Sequence, residues 1–145
     1  MSVVLDIADA VAAELASAPA GTFNQAFTPQ RRVLPQFELS ELKDLQVSVV
    51  PRSVENSPAA RGLTLKDVQV DIGVQKRLGK DLGAEIDPLL TLIEQIDAWL
   101  RQRPLQAAGN APWLKSANDP LYASEHLAED RVFTSVLTVT YRVMV

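Results

Sequence analysis

The chain has 145 residues, of which 47% are hydrophobic and 22% charged, with a formal net charge of −4 and no cysteine. That length suits one domain around one core, and the composition argues against disorder and fibrous repeats. The acidic balance provides no basic field for sequence-independent nucleic-acid binding, and the lack of cysteine excludes disulfide staples, thiolate nucleophiles and cysteine-based metal sites. Hydrophobic packing has to hold the fold.

The opening stretch "MSVVLDIADAVAAELASAP" is alanine-rich but carries no basic residue, and Asp6, Asp9 and Glu14 interrupt any apolar run of the kind a secretion signal needs. Val4, Ile7, Ala8, Val11 and Leu15 recur at helical spacing, so it reads as an amphipathic helix with the acids mostly off the apolar face. Pro19 and Gly21 end it. No later stretch reaches the roughly 18 apolar residues of a membrane span, so the expectation is a chain made and kept in the cytoplasm.

A first strand is expected over 27–34, bounded by Pro35. "LSELKD" is expected to form a turn, with Ser40 as an N-cap. "LQVSVVP" alternates Leu45, Val47 and Val49 against Gln46 and Ser48 and reads as a half-buried strand ending at Pro51. Residues 52–62, polar and carrying Pro58 and Gly62, read as an exposed loop. From Leu63 a long strand is expected, and the change of phase between Leu65 and Val68 suggests a bulge near Lys66 and Asp67.

The strongest periodic signal lies in "EIDPLLTLIEQIDAWLRQ", where Ile86, Leu89, Leu90, Ile93, Ile96 and Leu100 make one stripe and Pro88 falls in the expected first turn. Its polar side, Asp87, Thr91, Glu94 and Asp97, should meet solvent or a partner. The segment 103–130 reads as largely irregular, with a short helix capped by Ser124. In "RVFTSVLTVTYRVMV" the residues Phe133, Leu137, Val139, Tyr141, Val143 and Val145 share one face, and Val132, Val136 and Met144 make the other half-apolar. Such a strand belongs between neighbours inside a sheet, under helices.

Chemistry-bearing constellations are sparse. His126 has Glu125 and Glu129 within reach, but the sequence holds no second histidine and no cysteine to complete a usual zinc site, so a structural role is expected. Ser-His-Asp catalysis lacks a nucleophile motif, and there is no glycine-rich phosphate cradle. The pairs Asp67 with Asp71 and Glu94 with Asp97 read as solvated surface. Arg31, Arg32, Arg52 and Arg61 either solubilise a strand end and a loop or meet acids such as Asp87, Glu94 or Asp97 on a neighbouring copy. Trp99 is expected in the core, whereas Trp113, placed in a loop, is a candidate interface anchor.

The stretches "LDIADAVAAEL", "QRRVLPQFELSELKDLQVSVVPR", "VDIGVQKRL", "EIDPLLTLIEQI" and "DPLYASEHLAEDRVFTSVLTVTYRV" resemble small phage and prophage proteins of the neck-and-tail group. With the order of expected elements, they resemble the tail terminator, or tail-completion, proteins of long-tailed bacteriophages over nearly the whole chain. The resemblance implies a single α+β domain over 1–145: a mostly antiparallel sheet of about four strands with two main amphipathic helices packed on one face.

It also implies a homo-oligomeric ring, sixfold in the family, that caps the tail tube protein on one face and accepts the head connector or stopper on the other. DNA would pass through its channel without specific binding, and the protein would reside in the virion neck, with no enzyme activity, cofactor or membrane. The candidate subunit and partner interface comprises Arg31, Arg32, Arg52, Glu55, Arg61, Asp87, Glu94, Asp97 and Trp113. Other readings of the same residues are another neck component, such as a stopper or head-completion protein, and a small ligand-binding domain.

Overall fold

A computed structural model describes residues 2–33, 42–101, 103–119 and 121–145. The first helix, α1 (Val3–Ala16), starts where the Ser2 hydroxyl accepts the Leu5 backbone N–H, and Asp6 lies in its positive first turn. Ile7, Ala8, Val11 and Leu15 are buried as their spacing requires, while Val4 is half-buried. Glu14, expected away from the apolar face, is buried too, and its carbonyl accepts the Trp99 indole N–H at 3.0 Å.

Among the described residues the sheet has five strands in the order β1-β2-β3-β5-β4: β1 (Pro29–Arg31), β2 (Gln46–Ala60), β3 (Leu63–Arg77), β4 (Trp113–Asn118) and β5 (Val132–Met144). All pairs are antiparallel except β1 with β2. The α+β class therefore holds, with a mixed five-stranded sheet in place of about four strands. Beyond the two long helices there is a third, α3 (Ser124–Asp130). The apolar positions Val47 and Val49 of β2, Val68, Val70, Ile72 and Val74 of β3, and Phe133, Leu137, Val139 and Tyr141 of β5 join α1 and α2 (Leu82–Arg101) in one core cluster.

As the run of valines and threonines demanded, β5 lies between β3 and β4. Its far end is held as well, because Val145 and Thr64 exchange two backbone hydrogen bonds at 2.9 and 3.0 Å.

Several expectations need correction. The expected loop over 52–62 is a β-hairpin: β2 runs on through Pro51 and Pro58 to Ala60, and β3 returns after Arg61 and Gly62, with Gly62 at φ 77°. Both faces of this arm meet solvent, so the period-2 signal that marks a half-buried strand is missing. The irregularities lie on β2, between Pro51 and Ser53 and between Pro58 and Ala60, and not near Lys66 and Asp67, where β3 pairs with β5 in unbroken register. Leu65 therefore shares the polar face with Asp67, opposite to Val68.

The first strand covers only Pro29–Arg31 of the expected 27–34, and residue 34 lies outside the described residues, as does the expected cap Ser40. Leu42, next in that turn, is buried.

The helix α2 starts earlier than expected. Asp81 caps it by accepting the Ala84 N–H at 3.2 Å, and the Glu85 carboxylate accepts the Gly79 N–H at 2.8 Å. Pro88 is consequently inside the helix, beyond its first turn. Leu92 takes the buried position and Leu90 is half-buried, so the stripe is rotated slightly from the expected one. In α3 the residue before the helix is Ala123, in extended conformation, and Ser124 is already helical; no side chain caps it.

Candidate subunit interface

The β2–β3 hairpin is the feature that sets this surface apart. Every residue from 52 to 63 is exposed, yet the two strands stay paired to the last residue before the turn. Cross-strand contacts hold the arm: Ser53 Oγ donates to Gln69 Oε1 at 2.9 Å, and Lys66 Nζ to Asn56 Oδ1 at 2.7 Å. On its inner side β3 is carried by β5. On its outer side β2 meets β1 only at Val47, Ser48 and Val49, so among the described residues the edge from Ser53 to Ala60 has no strand beside it.

The direction of each backbone group on that edge follows from the bonds already made. Arg32 N donates to Val49 O at 2.9 Å, so Val49 points outward, and the Thr64–Val145 exchange turns the even-numbered residues of β3 toward β5. The odd-numbered residues Leu65, Asp67 and Gln69 then bond to their partners Ser57, Glu55 and Ser53. Val54, Asn56 and Pro58 are left facing outward. Pro51 and Pro58 have no N–H to give, a device that blunts an open edge, so the outward donors between them are concentrated at Val54 and Asn56.

The candidate residues divide into those near this edge and those committed elsewhere. Glu55 and Arg61 lie exposed on the hairpin, Glu55 in a polar cleft with Ser53, Asp67, Gln69, Lys115 and Thr140, and Arg61 in the turn. Arg52, at the bulge, has a guanidinium nitrogen 3.4 Å from both Asp71 Oδ1 and Thr138 Oγ1, and Thr138 donates to the same carboxylate at 2.7 Å. Arg31 pairs with Asp9 of α1 at 2.7 Å and so ties β1 to the helix. Arg32 contributes the backbone bond to Val49.

On α2, Asp87 and Glu94 are exposed as expected, but Asp97 is half-buried and serves inside the subunit, accepting from Arg101 and from Ser116 Oγ. Trp113 is a strand residue at the start of β4 rather than part of a loop; its ring is half-buried against the core, with the Arg101 guanidinium 5.2 Å from the ring centre. Trp99 packs on the core as expected, with Arg103 stacked 3.7 Å over it. His126 is exposed and its Nδ1 lies 3.0 Å from Thr134 Oγ1. Among the described residues no group of three or more His, Asp or Glu side chains is arranged to hold a metal ion.

Asp67 and Asp71, side by side on one face of β3, each have their own cation. Arg142 bonds to both oxygens of Asp67, and this hydrogen bonding holds the Asp67 carboxyl below its ordinary value and raises Arg142.

No family model matches the chain, and no curated protein does. Among the described residues, no helix is long and apolar enough to cross a membrane.

The sequence reading missed a groove of about 660 Å³ at the far end of β5, between the start of α1, the turn Ala107 to Pro112 and the last residues of β5. Val3, Ile7, Leu65 and Val143 make it largely apolar, and Met144 and Val145 at its rim are 63% and 54% exposed. It also missed β4, the opposite edge of the sheet. The "WLKSAN" segment is polar because one side of it faces water, and only the Pro112 and Asn118 boundaries hinted at a strand.

Proposed function

We propose that this chain is the subunit of a structural ring, a tail terminator at the head–tail joint of a long-tailed phage. The observation that carries the reading is the hairpin: a fifteen-residue strand, β2, whose outer half is exposed on both faces and, among the described residues, unpaired at its edge. A monomer gains little by keeping such an arm, because it adds almost no buried surface and offers a template for aggregation. A subunit that meets its neighbours through it gains a continuous sheet. Heterologous contacts of this kind close into rings when the rotation per subunit divides a full turn.

The tail-terminator assignment within that class rests on the sequence resemblance. An acidic chain suits a channel that DNA must traverse without adhering, since like charges repel. In this reading the tail tube meets one face of the ring and the head connector the other.

The groove favours one other reading. Its volume falls within the range of small-molecule sites, roughly 300–1,000 Å³, so a small apolar ligand is the competing occupant. Light scattering over a concentration series, with negative-stain images of the same fractions, separates the two. Closed rings that bind the end of purified tail tubes support the terminator; a chain that stays monomeric at every concentration, with or without tubes, overturns it and leaves the ligand reading.

A further inference from the structure

Resting on the ring reading, the geometry points to one specific subunit contact: the outer edge of β2 in one copy pairs antiparallel with the outer edge of β4 in the next, Val54 facing Asn118 and Asn56 facing Ser116. Among the described residues neither edge has a strand beside it there, and they are the two ends of the same sheet. Because β2 and β4 run in opposite directions within one copy, repeating the subunit around a ring brings them together antiparallel, which is the pairing their backbones can make.

The register is set by where donors exist. Arg142 N donates to Pro112 O at 3.2 Å, so the even-numbered residues of β5 turn toward β4; Lys115 and Ala117, opposite Thr140 and Thr138, bond to them. Ser116 and Asn118 are left pointing outward. Each edge thus presents two consecutive outward pairs of N–H and C=O groups, at Val54 and Asn56 on β2 and at Ser116 and Asn118 on β4. Only one antiparallel alignment uses all of them. The prolines at 51 and 58 remove the donors on either side and so disfavour sliding.

Two independent features agree with this alignment. Arg32 N already occupies the outer side of β2 at Val49, so a neighbour cannot sit level with its partner and has to be displaced toward the hairpin tip. The alignment supplies a displacement of about four residues along the strands, and a constant stagger per subunit is what a sheet needs to close into a barrel of tilted strands. The same displacement brings the hairpin turn, with Leu63 43% exposed, to the neighbour's Ala111 and Pro112 at the mouth of the apolar groove. The groove therefore receives the tip of the adjoining copy.

Disulfide trapping tests the register, because the chain has no cysteine of its own. In this alignment Glu55 and Ala117 face each other as a pair without mutual hydrogen bonds, about 4.5 Å apart at Cα, inside the range a disulfide spans. Within one copy β3 and β5 stand between them, about 14 Å of sheet, so a bond can form only between copies. The full-length Glu55→Cys, Ala117→Cys variant, oxidised after assembly, should give a ladder of covalent multimers on a non-reducing gel. The Glu55→Cys, Lys115→Cys control, matched to a register slid by two residues, should give none.

Assembled rings without a ladder, or with equal ladders from both variants, overturn the contact while leaving the ring reading in place. A variant and parent that both stay monomeric by light scattering, with and without tail tubes, overturn both. As a second measurement, Asn56→Pro is compared with Asn56→Ala, which loses the side-chain contact with Lys66 but keeps the outward N–H. Both should melt within a few degrees of the parent, the multimer should be lost in Asn56→Pro alone, and its retention there, or equal loss in both, overturns the contact.

Discussion

Arg142 on β5 and Asp67 on β3 face each other across the sheet in register and meet through two bonds, Nε to Oδ1 at 2.8 Å and Nη2 to Oδ2 at 3.1 Å. The pair sits on the polar face at the base of the arm, next to Val68 and Tyr141, which join β3 to β5 on the core face. It fixes the polar face of the sheet at the point where the arm begins to project.

Acid should loosen that point. The Arg142 hydrogen bond holds the Asp67 carboxyl below its ordinary value of 3.8 in the folded chain. A group lowered in this way contributes stability that is complete above the unfolded value and is lost as pH falls through the folded one. Denaturant unfolding between pH 6 and 2.5 should show Asp67→Asn less stable than the parent at pH 6, with the difference shrinking toward zero at the acid end. Parallel curves across the whole range would mean that the pair contributes nothing.

The Tyr141 hydroxyl is fully buried and has no hydrogen-bond partner among the described residues, and burial, with the charges of Glu14 and Asp97 adding to it, pushes its ionisation far above the ordinary value of 10. An unpaired buried hydroxyl costs about 1–3 kcal/mol, so Tyr141→Phe should be neutral or stabilising by about 1 kcal/mol. Urea unfolding of the two proteins measures it. A loss above about 1 kcal/mol would mean that the hydroxyl has a partner, such as a bound water.

Elements with one wet and one dry side were legible in the sequence, and elements with two wet sides were not. The alternation in β2 up to Pro51 and in β5, and the helical stripes of α1 and α2, exist because each residue reports which side it faces. Past Pro51 both faces of the hairpin are solvated, so Ser53, Glu55 and Ser57 carry no contrast with Val54 and Asn56, and the strand is held by backbone pairing that composition does not encode. The short β4 was hidden for a different reason: its dry side is only half-buried, so its alternation is faint. The candidate interface was half legible: Glu55 and Arg61 were found because they are charged and in an evidently exposed stretch, whereas Ser116 and Asn118 matter through backbone groups that every residue type shares. Asp97 was misplaced outward because a helical wheel does not show that β4 runs alongside to supply Ser116.

The rotated stripe of α2 gives a comparison between neighbours. Leu92 is completely buried in the core cluster, whereas Leu90, which the sequence stripe favoured, is half-buried at its edge. Leu92→Ala should cost about 2–5 kcal/mol in thermal or urea unfolding and Leu90→Ala less than half as much, because a cavity forms only where neighbours close on all sides. Equal costs would restore the stripe as the sequence drew it.

Leu63 offers the clearest separation of folding from assembly. It follows Gly62 at the hairpin turn and is exposed in the single chain, where it is outside the core cluster. An exposed side chain without packing partners contributes within about 0.5 kcal/mol to stability, so Leu63→Ser should melt with the parent. In the ring the same side chain enters the neighbour's groove and leaves water, and burying a leucine is worth about 1.5–3 kcal/mol per contact. Because a closed ring repeats the contact at every interface, the loss multiplies, and the concentration at which rings appear in light scattering should rise by at least tenfold. An unchanged assembly threshold would place the hairpin tip outside the interface, even if the strand edges pair as inferred.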